Sequence, residues 1–189
     1  MKIKREFLIV MIFLAMIISG LMSCKKKELT PLIQNYKLYR NAFLSFQYPS
    51  DWIIDENGTN VTVSGPQQDA YFVNFKVDYN DQIDMSLDEF AKTVEDQNQV
   101  SSLPAYVDKG RISLDLPVGK AVQRSFTTNV NTQFSDQPVN LMVTLLFITQ
   151  NNKIGYVITT EVPSRVYQNY SEIFENLKKS FRFQSIGKS

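Results

Sequence analysis

The chain has 189 residues, of which 43% are hydrophobic, and 20 Lys and Arg stand against 19 Asp and Glu, so the formal net charge is +1. A charge this balanced disfavours a nucleic-acid-binding protein, which normally carries a strongly basic stripe. The chain has no His and one Cys, which excludes Ser-His and Cys-His nucleophiles, the usual zinc sites and a disulfide within the chain.

The first residues have the pattern of a secretory signal. Lys2, Lys4 and Arg5 precede an uninterrupted apolar run of twelve residues, 7–18. This length suits the apolar core of a signal peptide and is short for a bilayer span. The alternative is an uncleaved membrane helix that continues through residues 21 and 22.

The segment Leu21-Met22-Ser23-Cys24 resembles a bacterial lipobox. The resemblance implies a signal peptide over residues 1–23, in which Leu21, Met22 and Ser23 are recognised by the signal peptidase. It also implies that Cys24 is acylated. Several acyl chains would anchor the protein stably, whereas a single chain is marginal. We therefore expect a protein held by lipid in the cell membrane or outer membrane, on its extracytoplasmic side.

Residues 24–40 are predicted to form the lipidated cysteine and a linker. Lys25, Lys26 and Lys27 follow the anchor and would each add about 1 kcal/mol of attraction to an anionic surface if they lie against lipid headgroups. The alternative is a solvated tether without a specific role. We expect the globular domain over residues 41–184 and a short tail over residues 185–189.

The first half of the domain is predicted to consist mainly of strands. Apolar residues alternate with polar ones from Leu44 to Tyr48, and Pro49 ends that strand. A hairpin follows over residues 52–63, with its turn at Asn57-Gly58. Gly65-Pro66 is expected to end the hairpin, and the alternation over residues 71–79 predicts the next strand.

The second half is predicted to hold two helices and a meander. Ser86 and Glu89 have the spacing of a capping box at a helix start. Apolar residues at helical spacing predict a second helix over residues 164–179. The expected strands are residues 106–116, 120–130, 138–149 and 153–160, with a polar turn over 131–137 and a final extended segment over 181–183. These elements predict an α+β fold, a twisted antiparallel sheet flanked by helices.

Two segments resemble a known family. Phe46-Gln47-Tyr48-Pro49-Ser50-Asp51-Trp52 looks like the opening signature of PsbP-like domains, and the segment from Ile173-Phe174 to Ser180-Phe181 is similar to their closing helix and strand. The resemblance implies a PsbP-like α/β/α sandwich in a lipoprotein of the DcrB type. Members of this superfamily dock to larger partners and share no common reaction, so the fold indicates function only by analogy.

Four aromatic residues are candidates for a ligand or partner surface. Tyr48 and Trp52 flank a turn, and Tyr167 and Tyr170 lie one turn apart on the second helix. Tyrosines are favoured at interfaces because they combine apolar area with a polar tip. The alternative is ordinary core packing with the polar tip bonded to a neighbour.

An acidic segment before the first helix has part of the spacing of a calcium-binding loop. Asp78, Asn80, Gln82 and Glu89 occupy ligand positions of an EF-hand, but Ile83 stands where that loop needs glycine. The alternative is an acidic loop that leads into a capped helix, and we assign no metal and no cofactor.

These observations predict a non-enzymatic envelope lipoprotein. Its membrane partner would be lipid, through acylated Cys24, and its domain would dock to another envelope protein or complex. A second hypothesis is a binding protein that holds a small apolar or sugar-like ligand between the sheet and a helix. An atypical hydrolase is the third, and two close carboxylates in a compact pocket would favour it.

Overall fold

The structure, a computed structural model, describes residues 32–184, so residues 21–24 of the lipobox lie outside the described part. Within it the chain forms an α+β fold, as predicted. The strands and helices are β1 (Tyr36–Arg40), β2 (Leu44–Pro49), β3 (Ile53–Asn57), β4 (Asn60–Gln68), β5 (Tyr71–Asn80), α1 (Leu87–Gln97), β6 (Val107–Leu116), β7 (Gly119–Thr132), β8 (Ser135–Gln150), β9 (Ile154–Pro163), α2 (Tyr167–Ser180) and β10 (Arg182–Phe183). Two short 3₁₀ segments, Val100–Ser102 and Ser164–Val166, follow α1 and precede α2. No helix among the described residues is long and apolar enough to span a bilayer.

The strands form two antiparallel sheets where the sequence predicted one. The large sheet has seven strands in the order β3-β4-β5-β9-β8-β7-β6, and the small sheet has three in the order β1-β2-β10. β1 lies inside the stretch predicted to be a linker, and it pairs with β2 from Tyr36 opposite Pro49 to Arg40 opposite Ser45. The strand β1 thus belongs to the same compact unit as the strands that follow it.

The two faces of the large sheet carry separate cores. On β8, Leu146 and Ile148 belong to the first core, while Leu145 and Phe147 belong to the second. Successive side chains of a strand point to opposite faces, so the long apolar run of β8 is explained by burial on both sides.

The small sheet and α2 cover one face of the large sheet. The rings of Phe46 and Phe75 lie 5.4 Å apart between the two sheets, and Phe181 contacts Tyr156 at 5.6 Å. Burial raises the pKa of Tyr156 to about 12. This first core also contains Leu177 of α2.

α1 covers the other face. The predicted capping box is present, because the Ser86 hydroxyl accepts from the backbone N–H of Glu89 at 3.4 Å and the Glu89 carboxylate accepts from that of Ser86 at 2.9 Å. Phe90 and Ala91 are the buried residues of this helix. The Phe90 ring meets Phe147 edge-on at 6.2 Å and also lies directly over Gly155.

Two predicted turns are parts of strands. Gly65-Pro66 does not end β4, which continues to Gln68 through a bulge between Ser64 and Gln67. A Cβ on Gly65 would lie 2.5 Å from the Trp52 ring, so glycine is required there by close packing. The polar stretch 131–137 is mostly strand as well, since β7 and β8 remain paired as far as Thr132 and Ser135.

Candidate ligand-binding cavity

A cavity of about 1090 Å³ lies between the large sheet and the segment formed by α1 and the 3₁₀ turn that follows it. Its floor comes from β5, β9, β8 and β7, which are neighbours in the sheet. Its roof contains Val94 of α1 and the residues Val100, Leu103 and Pro104. α1 thus covers this face only in part, and the uncovered part of the floor lines the cavity.

One side of the cavity is aliphatic. Leu141, Val143 and Leu145 alternate along β8 and face the cavity together. Phe126 of β7 lies beside them and is the one aromatic residue that the described chain contributes to the lining. Many methylene and methyl groups therefore meet on this side, with few hydrogen-bonding groups.

The other side carries charged residues from β5 and β9. Lys76, Asp78 and Glu161 line it together with Thr159. The Lys76 ammonium lies 3.4 Å from the Glu161 carboxylate, and the hydroxyl of Tyr71 donates to the same carboxylate at 2.5 Å. Glu161 is thus held by two partners at the cavity wall.

Asp78 is the half-buried carboxylate of this wall. Burial raises the pKa of Asp78, and the nearby Lys76 ammonium opposes the shift by favouring the ionised form. Asp78 also lines a second cavity of about 210 Å³ under α1, which shares Val94, Gln97 and Val157 with the first. The two cavities adjoin at Asp78.

Ion pairs attach the helix of the roof to the sheet, and hydrogen bonds attach the turn. Arg111 of β6 lies 3.2 Å from Glu95 and 3.6 Å from Asp88, which ties the edge of the sheet to α1. The carbonyl of Pro104 accepts from the Thr128 hydroxyl at 2.8 Å and from the backbone N–H of Asn129 at 2.9 Å. Both ends of the roof are therefore attached to the sheet.

The four aromatic candidates lie on the opposite face of the sheet. Tyr48 and Trp52 are 8% and 5% exposed and belong to the first core. The rings of Trp52 and Tyr170 lie 6.2 Å apart, and Tyr167 packs partly buried against the same core. None of the four lines the large cavity of the described chain, and their role as a ligand or partner surface stays a prediction.

Two of the four calcium candidates make other hydrogen bonds through their side chains. Glu89 caps α1, and the side-chain oxygen of Asn80 accepts from the backbone N–H of Gln82 at 3.0 Å. Asp78 lines the cavity. In residues 32–184 no three His, Cys, Asp or Glu side chains are grouped so that they could hold a metal ion.

Sequence reasoning missed Lys76, Glu161 and the aliphatic residues of β8 as site residues. The available signal was a charged pair of positions, Lys76 and Asp78, at period two inside a strand whose other face is apolar. Such a pattern predicts a polar face for the strand. It does not predict that a helix covers part of this face and leaves a cavity beside it.

Comparison with known proteins supports the fold. No protein-family model and no curated protein matches the chain. Among solved structures, cyanobacterial PsbP (CyanoP) from Synechocystis is similar with a TM-score of 0.54 and 16% identity over 87% of this chain and 99% of that one. The Ran-binding protein Mog1p of Saccharomyces cerevisiae is similar with a TM-score of 0.55 and 14% identity, over 78% of this chain and 95% of that one. LpqN of Mycobacterium tuberculosis, involved in cell envelope biogenesis, is similar with a TM-score of 0.54 and 8% identity, over 75% of this chain and 83% of that one. Identities this low show a common PsbP-like fold alone.

Proposed function

We propose that this chain is a lipid-anchored, non-enzymatic binding protein of the cell envelope, and that it holds an apolar or amphipathic small molecule between α1 and the large sheet. The observation that carries the proposal is the cavity of about 1090 Å³. Small-molecule sites commonly measure about 300–1,000 Å³ and combine an apolar lining with a few polar groups. The cavity is slightly larger than this range, and its lining combines an aliphatic side with a charged side.

The lining favours an aliphatic ligand over a sugar. Every buried hydroxyl of a sugar needs a hydrogen-bond partner, and the side formed by Leu141, Val143 and Leu145 offers none from its side chains. An alkyl or isoprenoid chain gains about 0.8 kcal/mol for each methylene group that it buries. Such a chain suits this side of the cavity.

The envelope location is proposed from the lipobox. The similarity to LpqN, which is involved in cell envelope biogenesis, is compatible with this location. Replacing Cys24 with Ser should release the protein from the membrane fraction and change its mobility on gels, because no acyl chain can then be attached. Unchanged membrane retention would refute the anchor and leave the cavity proposal standing.

The ligand proposal is tested on protein purified from its native membranes. Native mass spectrometry should detect a bound mass that is soluble in organic solvent. Leu103→Trp fills the cavity from its roof and should remove this mass, whereas Leu38→Trp, an identical change at an exposed position of β1, should retain it. A bound mass that survives Leu103→Trp would place the ligand elsewhere.

A second candidate function is docking to an envelope protein, and one surface feature favours it. Phe72 and Phe134 are 45% and 53% exposed, and their rings meet edge-on at 6.1 Å. Exposed aromatic pairs are typical anchors of protein interfaces. Crosslinking in intact cells should recover a reproducible partner that Phe72→Ser with Phe134→Ser removes and that the control Ile53→Ser keeps. Recovery of the monomer alone would contradict docking.

A further inference from the structure

The charged wall of the cavity contains one pair and one separate carboxylate. Lys76 and Glu161 are paired at 3.4 Å, and Tyr71 donates a further hydrogen bond to Glu161. Within residues 32–184 the carboxylate of Asp78 makes no hydrogen bond or ion pair, and the Lys76 ammonium acts on it only through space. Its place in both cavities makes it accessible from either one.

The groups around Asp78 do not neutralise it. Val157 lies opposite it on β9, and Val94 and Gln97 of α1 line the same two cavities. Lys76 is two residues away on the same face of β5, but its ammonium lies beside Glu161. The three charged residues together carry one net negative charge, so this wall favours a cation over an anion.

We infer that the cavity recognises an amphiphile with a protonated amine at the end of an apolar chain, and that the carboxylate of Asp78 binds the amine. This inference rests on the proposed function, because it names the head group of the ligand for which the cavity is suited. Hydrogen bonds between an ammonium and a carboxylate are among the strong ones in proteins. A carboxylate that is already half desolvated also loses less hydration when the ligand binds.

The strand register gives the direction of the apolar chain. Residues paired across β5, β9 and β8 form rows perpendicular to the strands. Successive rows run from Asp78 to Phe147, from Lys76 to Leu145 and from Asn74 to Val143. Leu141 lies one further row along β8. The three steps from Phe147 to Leu141 correspond to roughly 20 Å along β8, so a hexadecyl chain bound at Asp78 would extend over the aliphatic side of the cavity.

The test uses the full chain in lipid nanodiscs and three photoreactive probes. Each probe is a hexadecyl chain with a diazirine near its middle, and the chains end in a primary amine, a hydroxyl or a carboxylate. Mass spectrometry measures labelling of the β8 peptide that contains Val143 and Leu145 as a function of probe concentration. Asp78→Asn is compared with Asp115→Asn, which removes the same charge at an exposed position of β6.

The amine should label the native chain at lower concentration than the hydroxyl and carboxylate probes. Asp78→Asn should raise the half-labelling concentration of the amine about tenfold, the effect of one charge-assisted hydrogen bond. It should leave the hydroxyl probe unchanged, and Asp115→Asn should change neither probe. Circular dichroism of each variant checks the fold, and the order of the three probes on the native chain tests the inference without any variant.

Two results would overturn the inference, and they differ. Equal labelling by all three probes would refute amine recognition. Equal labelling of the native chain and of Asp78→Asn by the amine probe would refute it too. In both cases the cavity remains a binding site. Absence of β8 labelling by any probe refutes the proposed function, and the inference fails with it.

Discussion

Replacing Gly155 with Ala should destabilise the protein by displacing α1 from the sheet. Gly155 lies in β9 under the ring of Phe90, and a Cβ at this position would lie 2.5 Å from Cζ and 2.6 Å from Cε2 of that ring. Carbon atoms in contact normally stay about 3.5–4.0 Å apart. The ring must therefore retreat by about 1 Å or more.

The structure leaves the ring little room to retreat. Phe90 is 5% exposed and lies edge-on against Phe147. Overpacking of this kind typically costs about 1–3 kcal/mol. At about 2 kcal/mol, a chain of this length should lose roughly 4–8 °C in melting temperature.

Urea unfolding of the full chain in mild detergent, followed by far-UV circular dichroism, measures the loss. The double-mutant cycle with Phe90→Leu isolates its cause, because the smaller side chain relieves the contact. Phe90→Leu should destabilise the native chain but cost little in the Gly155→Ala background, giving a coupling of about 0.5–3 kcal/mol. Additive losses, or a Gly155→Ala variant as stable as the native chain, would refute the packing argument.

Three further predictions concern the roof, the charged wall and the first core. Ser86→Ala removes the cap of α1 and should lower the free energy of unfolding by about 1 kcal/mol; unchanged urea midpoints would contradict this. Burial raises the pKa of Asp78, so the folded chain binds this proton more tightly than the unfolded chain. The free energy of unfolding therefore falls as pH rises from the ordinary Asp pKa through the raised one. Asp78→Asn should therefore increase thermal stability at pH 7, by less than about 1 kcal/mol because solvent screens a half-exposed group. The gain should vanish below the ordinary Asp pKa, and a gain that persists in acid would contradict the reasoning. Gly65→Ala should displace the ring of Trp52, the only tryptophan, and shift its fluorescence to the red. The free energy of unfolding should fall by about 1–3 kcal/mol, and unchanged emission would contradict the prediction.

Local patterns in the sequence predicted much of the fold. The capping box at Ser86, the hairpin turn at Asn57-Gly58 and the period of two in β5 each depend on near neighbours in the chain, and the structure contains all three. β1 was missed because its outward residues are exposed and its pairing with β2 depends on a neighbouring strand. The bulge at Gly65 was missed because the reason for this glycine is the ring of Trp52.

The cavity could not be predicted to the same degree. The polar positions of β5 were visible, but the space beside them depends on how far α1 and the turn at Pro104 extend over the sheet. That extent is set by contacts between distant segments, such as Arg111 with Glu95 and Thr128 with Pro104. Period and propensity carry no information on such distances.

The pairing of β1 with β2 has a mechanical consequence. β1 is the first strand of the compact unit, and the predicted anchor precedes it in the chain. Tension between the anchor and a bound partner would reach the hairpin at Tyr36 and Pro49, the pair at its open end. When an antiparallel pair is pulled apart from its open end, the backbone hydrogen bonds between the strands break one after another. We therefore expect β1 to separate from β2 at low force. The released strand would lengthen the tether while the seven-stranded sheet stays intact.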